Sequence, residues 1–288
     1  MINLHCANFY GFEKFYKFVL NEPEYTKRPN TKIYAVYGCF PGMIWNGGRP
    51  QCTTKITYEE IEKEFEYYYN LGINIELTLN NMLLREEHLS DEYCNKIINM
   101  ALKYDSICIV QSKLLKDYLK NTYPTLRLKR SCVACNDGHD WDDKNEYDCF
   151  VVNQFEGGNW DLLNSIPYER RKQAELVANV ECKDGCPNFY IHHAKMGAIQ
   201  LGEDAPNFIC PLGDYYPIKH SRNQKHFIHP DNCQKYVENG YEHFKLVSRC
   251  NLGQSIHETC FYYFKEEYVP DMVCKAYETF GIPMKIDV

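Results

Sequence analysis

The sequence lacks the features that most quickly place a chain in a class. No apolar run approaches the about 18 to 20 residues that span a bilayer. The N-terminus, Met1-Ile-Asn-Leu-His-Cys6, has neither the basic nor the apolar stretch of a signal peptide. A cytoplasmic protein without membrane association is therefore expected. There is no surplus of positive charge: 32 Lys and Arg face 39 Asp and Glu, a net charge of -7, which argues against a nucleic-acid-binding surface. The best basic run, Leu126-Arg-Leu-Lys-Arg130, reads as a strand edge with solvated charges. No Gly-x-Gly-x-x-Gly follows the first apolar run, and there is no Walker A loop. Gly-x-Ser-x-Gly and His-Glu-x-x-His are also missing.

Cysteine, by contrast, is abundant. Fifteen cysteines in 288 residues is high for a compartment that keeps thiols reduced. Their number is odd and their spacing irregular. Cys108, Cys149, Cys260 and Cys274 lie in apolar runs and read as small core residues. The cysteines in polar loops after strands are the candidate ligands. Cys182-Lys-Asp-Gly-Cys186-Pro187 follows the apolar run 173–180, with His192-His193 and Cys210-Pro211 downstream. Three readings compete for Cys182, Cys186 and Cys210: an iron–sulfur cluster, a tetrahedral zinc joined by His192 or His193, or unligated core and loop thiols. Only one of the two adjacent histidines is expected to face a shared centre. Cys132-Val-Ala-Cys135 also has ligand spacing, but on a strand its thiols diverge; a redox pair is the alternative. The 24 Tyr and 15 Phe read as packing.

Apolar patterns of strand and helix type alternate along the chain. Strands are expected at 32–37, 73–79, 106–110, 126–132, 147–152, 174–180 and 244–247. Helices are expected at 58–70, 91–103, 114–121, 160–165, 187–196, 230–238 and 256–280. Such alternation means βα units and a parallel sheet. Over this length the α/β fold predicted is a single parallel TIM-type barrel over residues 1–288, with an irregular or incomplete eighth unit. A doubly wound open sheet is the alternative, weakened by the missing glycine fingerprint.

In a parallel barrel the site lies at the C-terminal strand ends. Those ends are polar: Asn46 and Arg49, Asn80 and Asn81, Gln111 and Ser112, Cys132 and Cys135, Asn153 and Gln154, Asn179 and Cys182, and Arg249. Their bias to amides and arginine points to a small polar or anionic ligand. In Phe40-Pro-Gly-Met-Ile-Trp-Asn-Gly-Gly-Arg49, the glycine pair allows positive φ and close backbone approach. Arg49 offers a planar fork for a carboxylate or phosphate, the alternative being a surface arginine after a turn. Glu76 alternates with apolar neighbours and fits either the barrel interior or the solvent face.

Two further motifs carry a family resemblance. Phe244-Lys-Leu-Val-Ser-Arg249, preceded by Tyr236-Val-Glu-Asn-Gly240, resembles the Phe-Lys-Ile-Glu-Gly-Arg signature of the collagenase-like peptidase superfamily. Glu175-Leu-Val-Ala-Asn179 with Cys182 and Cys186-Pro187 is similar to its strand and cysteine loop. The superfamily includes iron–sulfur proteins of oxygen-independent ubiquinone and RNA hydroxylation. The resemblance spans residues 32–265 and implies a TIM-like barrel with a four-cysteine [4Fe–4S] cluster. Cys182, Cys186 and Cys210 match as ligands; for the fourth, Cys39 is the first choice, with Cys132 and Cys135 behind it. Val247 and Ser248 depart from the signature's Glu and Gly, and the 41–49 segment is foreign to the peptidase branch.

The expectation is therefore an iron–sulfur or other Cys-ligated barrel enzyme, or a subunit of one. Arg49, Arg249, Asn179 and His193 would handle the substrate. The alternatives are a metal-stabilised barrel that binds a protein partner or a second copy, and a peptidase-like hydrolase.

Overall fold

The computed structural model describes residues 1–21, 26–48, 52–134, 146–180, 182, 186–209, 222, 224–225, 227–247 and 254–265. Eight strands run parallel and close on themselves in sequence order. They are β1 (Ile2–Ala7), β2 (Thr31–Gly38), β3 (Asn74–Leu79), β4 (Ile107–Val110), β5 (Arg127–Arg130), β6 (Cys149–Val151), β7 (Ala174–Val177) and β8 (His243–Leu246). β1 closes the ring by pairing with both β2 and β8. The expected barrel is present. The seven expected strands each have a counterpart, and the eighth is regular: it is the N-terminal run, buried over its whole length.

Helices fill the crossovers: α1 (Glu13–Asn21), α2 (Tyr58–Asn70), α3 (Glu86–Leu89), α4 (Glu92–Lys103), α5 (Lys113–Thr122), α6 (Trp160–Ser165), α7 (Tyr168–Arg171), α8 (Phe189–Leu201), α9 (Cys233–Glu238) and α10 (Gln254–Phe264). Local chemistry sets their ends. α2 starts in a capping box: the Glu60 N–H donates to Thr57 Oγ1 at 3.2 Å, and the Thr57 N–H donates to the Glu60 carboxylate at 2.8 Å. It stops at Gly72, whose φ of 68° suits a residue without Cβ. α4 begins one residue later than expected, because Asp91 caps it, accepting from the Cys94 N–H at 2.7 Å. Helix 256–280 is described only to Phe264.

Alternation sorts each strand into two faces. Leu4, Ile75, Leu77, Cys108, Val110, Leu128, Phe150, Leu176, Phe244 and Leu246 belong to one apolar core beneath the helices. Many of the tyrosines reach this layer with their rings and satisfy their hydroxyls on backbone carbonyls. Tyr16 donates to Ala7 O at 2.9 Å, Tyr68 to Phe9 O at 2.9 Å and Tyr263 to Ile228 O at 2.7 Å.

The opposite faces fill the barrel in layers drawn alternately from odd and even strands. The middle layer comes from the odd strands: His5, Glu76, Lys129 and Glu175, none more than 2% exposed. Below it lie Tyr34, Ile107, Cys149 and His243, and above it Tyr37, Ile109, Val151 and Lys245. On β2 the two inward tyrosines are three residues apart, where the register with β1 shifts between Leu4 and His5.

A middle layer of branched apolar side chains is usual in such barrels; here it is ionic. Lys129 Nζ donates to Glu76 Oε1 at 2.6 Å and to Glu175 Oε2. His5 Nδ1 lies 3.1 Å from Glu76 Oε1 and 3.0 Å from Glu175 Oε2, so that nitrogen carries the proton. Lys245 Nζ donates to Glu175 Oε1 at 3.0 Å. Two carboxylates thus meet two ammonium groups. Buried charges persist only when paired in this way. The basic run at Leu126-Arg-Leu-Lys-Arg130 is therefore not a solvated strand edge: Lys129 is 2% exposed and points inward. Glu76, at 0% exposed, is likewise interior.

Removing the central ammonium leaves two buried carboxylates facing each other. Lys129→Met should lower the unfolding free energy by about 3–5 kcal/mol, read by chemical denaturation at neutral pH. A variant as stable as the wild type would show that another cation or solvent balances Glu76 and Glu175.

Candidate functional site

A cavity of about 170 Å³ opens at the C-terminal end of the strands. It is smaller than the roughly 300–1,000 Å³ of drug-sized sites. It suits a small ligand or the end of a larger one. The upper layer forms its floor: Tyr37, Ile109, Val151 and Lys245 all line it, with Thr78 and Ser131 one step higher on β3 and just past β5. Lys245 is 7% exposed. Its ammonium is held from below by Glu175 and stands 3.7 Å from the centroid of the Tyr37 ring. That ring is fixed in turn, because the Tyr37 hydroxyl donates to Leu246 O at 2.8 Å.

The rim is built from backbone clamps. Asn81 is fully buried; its Nδ2 donates to Ile44 O at 2.9 Å and Gly197 O at 3.2 Å, and its Oδ1 accepts from the Leu83 N–H at 3.0 Å. One amide thereby ties the end of β3 to the 41–48 loop and to α8. Trp45, also fully buried, anchors the same loop through Nε1 to His88 O at 2.8 Å. Gly47 is required for space: a Cβ there would lie 2.3 Å from Asn80 O. Close approach, not positive φ, explains this glycine; Gly42 takes the positive φ, at 81°.

The residues nominated by the sequence divide among these parts. Cys182 lines the cavity in a small apolar cluster with Val151, Val177 and Val180, and Cys132, in a 3-10 turn after β5 rather than on the strand, packs against the same cluster. His192 and His193 both line the cavity from α8. The His193 ring stacks edge-on to Phe189, with centroids 4.6 Å apart. Asn179 is placed as a brace: its Nδ2 donates to Val247 O and its Oδ1 accepts from the Val247 N–H, both at 2.7 Å. Cys186 is half-buried just before α8 and is not a lining residue. Cys39 packs in the outer core, its thiol 3.4 Å from Met43 Sδ, and does not line the cavity either. Arg49, Cys135, Cys210 and Arg249 lie outside the described residues. Gly48 and Val247, their neighbours at one and two residues' distance, both line the cavity.

Among the described residues the cavity gathers two thiols, Cys132 and Cys182, rather than the four a cluster of the expected type requires. The described residues contain one group of three His, Cys, Asp or Glu ligand atoms within 4.8 Å of one another. It is His5, Glu76 and Glu175, beneath the floor. Lys129 supplies the cation there.

Among the described cavity residues, Thr78 Oγ1, Asn80 Oδ1 and Gln154 Nε2 are buried polar atoms with no hydrogen-bond partner. Buried polar atoms are rarely left so. The amides Asn80 and Gln154 were legible as strand-end residues. Thr78 and Lys245 were not singled out, although each is a polar residue alternating with apolar neighbours on a strand, which is the signal for an inward side chain.

The ionic core makes the fold acid-sensitive, with a definite sign. Burial, helped by His5, pushes His243 down to about 3; its Nδ1 lies 2.8 Å from His5 Nε2. An unfolded histidine takes up a proton near pH 6.5, so stability present above that pH is lost as pH falls toward 3. Burial opposes the Glu76 carboxylate, but Lys129 and His5 outweigh it and hold the group down at about 2. Burial likewise opposes the Glu175 carboxylate, and His5, Lys129 and Lys245 together hold it well below the usual range. Their contribution is present above about pH 4.5 and fades below it. Unfolding temperature should therefore fall in two stages from pH 7 to pH 3. His243→Phe should flatten the upper stage, and a variant with an unchanged profile would disprove the assignment.

No family model matches the chain, and no curated protein matches it. Among solved structures, five chains match. One is the structure of the U32 peptidase Mk0906, with a TM-score of 0.53 and 14% sequence identity over 86% of this chain and 93% of that chain. At that identity the likeness establishes a shared fold: this chain has the β/α-barrel architecture of a U32 peptidase.

Proposed function

We propose that the protein is an enzyme whose reaction takes place in the barrel-mouth cavity on a small polar or anionic substrate. The observation that carries the reading is the Lys245 ammonium on the cavity floor, fixed by the buried Glu175 carboxylate and the Tyr37 ring. A positioned cation in a partly apolar, enclosed pocket stabilises negative charge far more than the same cation in water. The thiols of Cys132 and Cys182 form one wall and His192 and His193 line the α8 side, so nucleophilic or proton-transferring groups surround the same volume. The resemblance to the collagenase-like superfamily adds the expectation of a thiolate-bound [4Fe–4S] cluster or zinc. Cys182 is its best-placed ligand, and Cys186 and Cys210 follow along the chain. Such a centre supplies electrons or a Lewis acid, and the protein's part would be to hold the substrate anion on Lys245. A peptidase activity has only the shared fold behind it.

Two measurements test this reading. Unfolding temperature should rise with at least one of a panel of small carboxylates and phosphates, by an amount equivalent to about 2.7 kcal/mol at 100 times the dissociation constant. Lys245→Met should lose that response; equal responses would remove Lys245 from the site. For the metal, anaerobically purified protein should contain iron and acid-labile sulfide that Cys182→Ser loses. Protein free of iron, sulfide and zinc would end the cluster reading and leave the cavity reading standing.

A further inference from the structure

The cavity's polar groups constrain the ligand further, given the reading of Lys245 as its anion contact. We propose that the site takes a small monocarboxylate bearing a hydroxyl or amide group next to the carboxylate. The carboxylate would sit on Lys245, and the substituent would meet Thr78, Asn80 and Gln154.

Charge is the first argument. Beneath the floor, Glu76 and Glu175 balance Lys129 and Lys245. A monoanion adds one uncompensated charge to this set; a dianion adds two, 3.0 Å from Glu175 at the nearest ammonium. In a medium of low dielectric that second charge is strongly disfavoured. Size is the second argument, since about 170 Å³ leaves little beyond a few heavy atoms. The third is the wall chemistry. Ile109, Val151, Val247 and Met196 add apolar surface to the lining, which disfavours a ligand charged at both ends. The fourth is the three unpartnered buried atoms. Thr78 is 7% exposed, and its hydroxyl, the Asn80 carbonyl oxygen and the Gln154 amide nitrogen together offer both a donor and an acceptor. A bare alkyl carboxylate leaves them unmade, as they are in the free protein. A neighbouring hydroxyl or amide could make a hydrogen bond to one of them.

The test is calorimetric titration of the full-length protein with acetate, glycolate and inorganic phosphate, at a pH where phosphate is mainly a dianion. Glycolate should bind more tightly than acetate by about 2- to 10-fold, the worth of one hydrogen bond. Phosphate should bind more weakly than either. Thr78→Val keeps the side-chain shape and should bring glycolate to the acetate level without changing acetate. Lys245→Met should weaken both carboxylates by about tenfold or more, as expected for a hydrogen bond to a charged group. Phosphate binding tighter than glycolate would overturn the ligand class while leaving the anion site intact. So would equal affinities for glycolate and acetate in the wild type. If none of the three binds, the anion site itself fails, and this inference with it.

Discussion

Glu175 holds the polar interior together. One carboxylate, 1% exposed, accepts from Lys129 and Lys245 and faces His5 Nδ1. Its three partners come from three different strands, so the group ties β1, β5 and β8 to β7. In a low-dielectric interior each member of such a set is unfavourable alone and stable only with the rest. The consequence for function is positional. Lys245 is fixed by a strand, by an ion pair and by an aromatic ring, none of which depends on a mobile loop. A cation placed this rigidly is preorganised for an anion and loses little entropy on binding it.

The rim obeys a different rule. Its amides serve the backbone: Asn81 closes three segments together, and Asn179 locks the end of β8 to the end of β7. Parallel barrels leave carbonyl and N–H groups without partners where strands end, and a short amide with one donor and one acceptor satisfies them in pairs. Asn80 and Gln154 lie beside these clamps but keep buried atoms unmatched. The contrast separates amides that build the mouth from amides that face its contents. Residue type at a strand end cannot make that distinction; the location of each hydrogen bond can.

The barrel was legible because strand-type and helix-type apolar patterns alternate along the chain from β2 to β8. β1 was missed because its run, Ile2–Ala7, sits at the terminus and pairs with the last strand, a closure across more than two hundred residues that no local pattern encodes. Lys129 was misjudged for a related reason. Between Arg127 and Arg130 it looks like one charge among three, yet alternation puts Leu128 outward into the core and Lys129 inward onto Glu76. An anion-binding site is expected from Arg49 and Arg249, which lie outside the described residues; the described cation on the floor is a lysine in an apolar strand. A charged residue in the interior of a barrel is visible in sequence only once the partner charges, scattered over β3 and β7, are known to share its layer.

The abundance of cysteine resolves in the same physical terms. Burial raises the thiols of Cys39, Cys94, Cys108 and Cys233, the last to about 12. Cys6 and Cys260 face each other across β1 and α10 with sulfurs 4.0 Å apart. These are neutral, apolar fillers of the layer between strands and helices, where a thiolate has nothing to stabilise it. Cys149 sits inside the barrel below the ionic layer, and burial raises it to about 12 despite Lys129. Cys132 and Cys182 differ in setting: they border a cavity whose floor carries an ammonium group. Thiols at a cavity are open to a ligand, whereas those packed in the core are not. The number of cysteines therefore says little about the chemistry of this chain. The placement of these two on the cavity lining is what makes the mouth, rather than the cysteine-rich core, the place to look for reactivity.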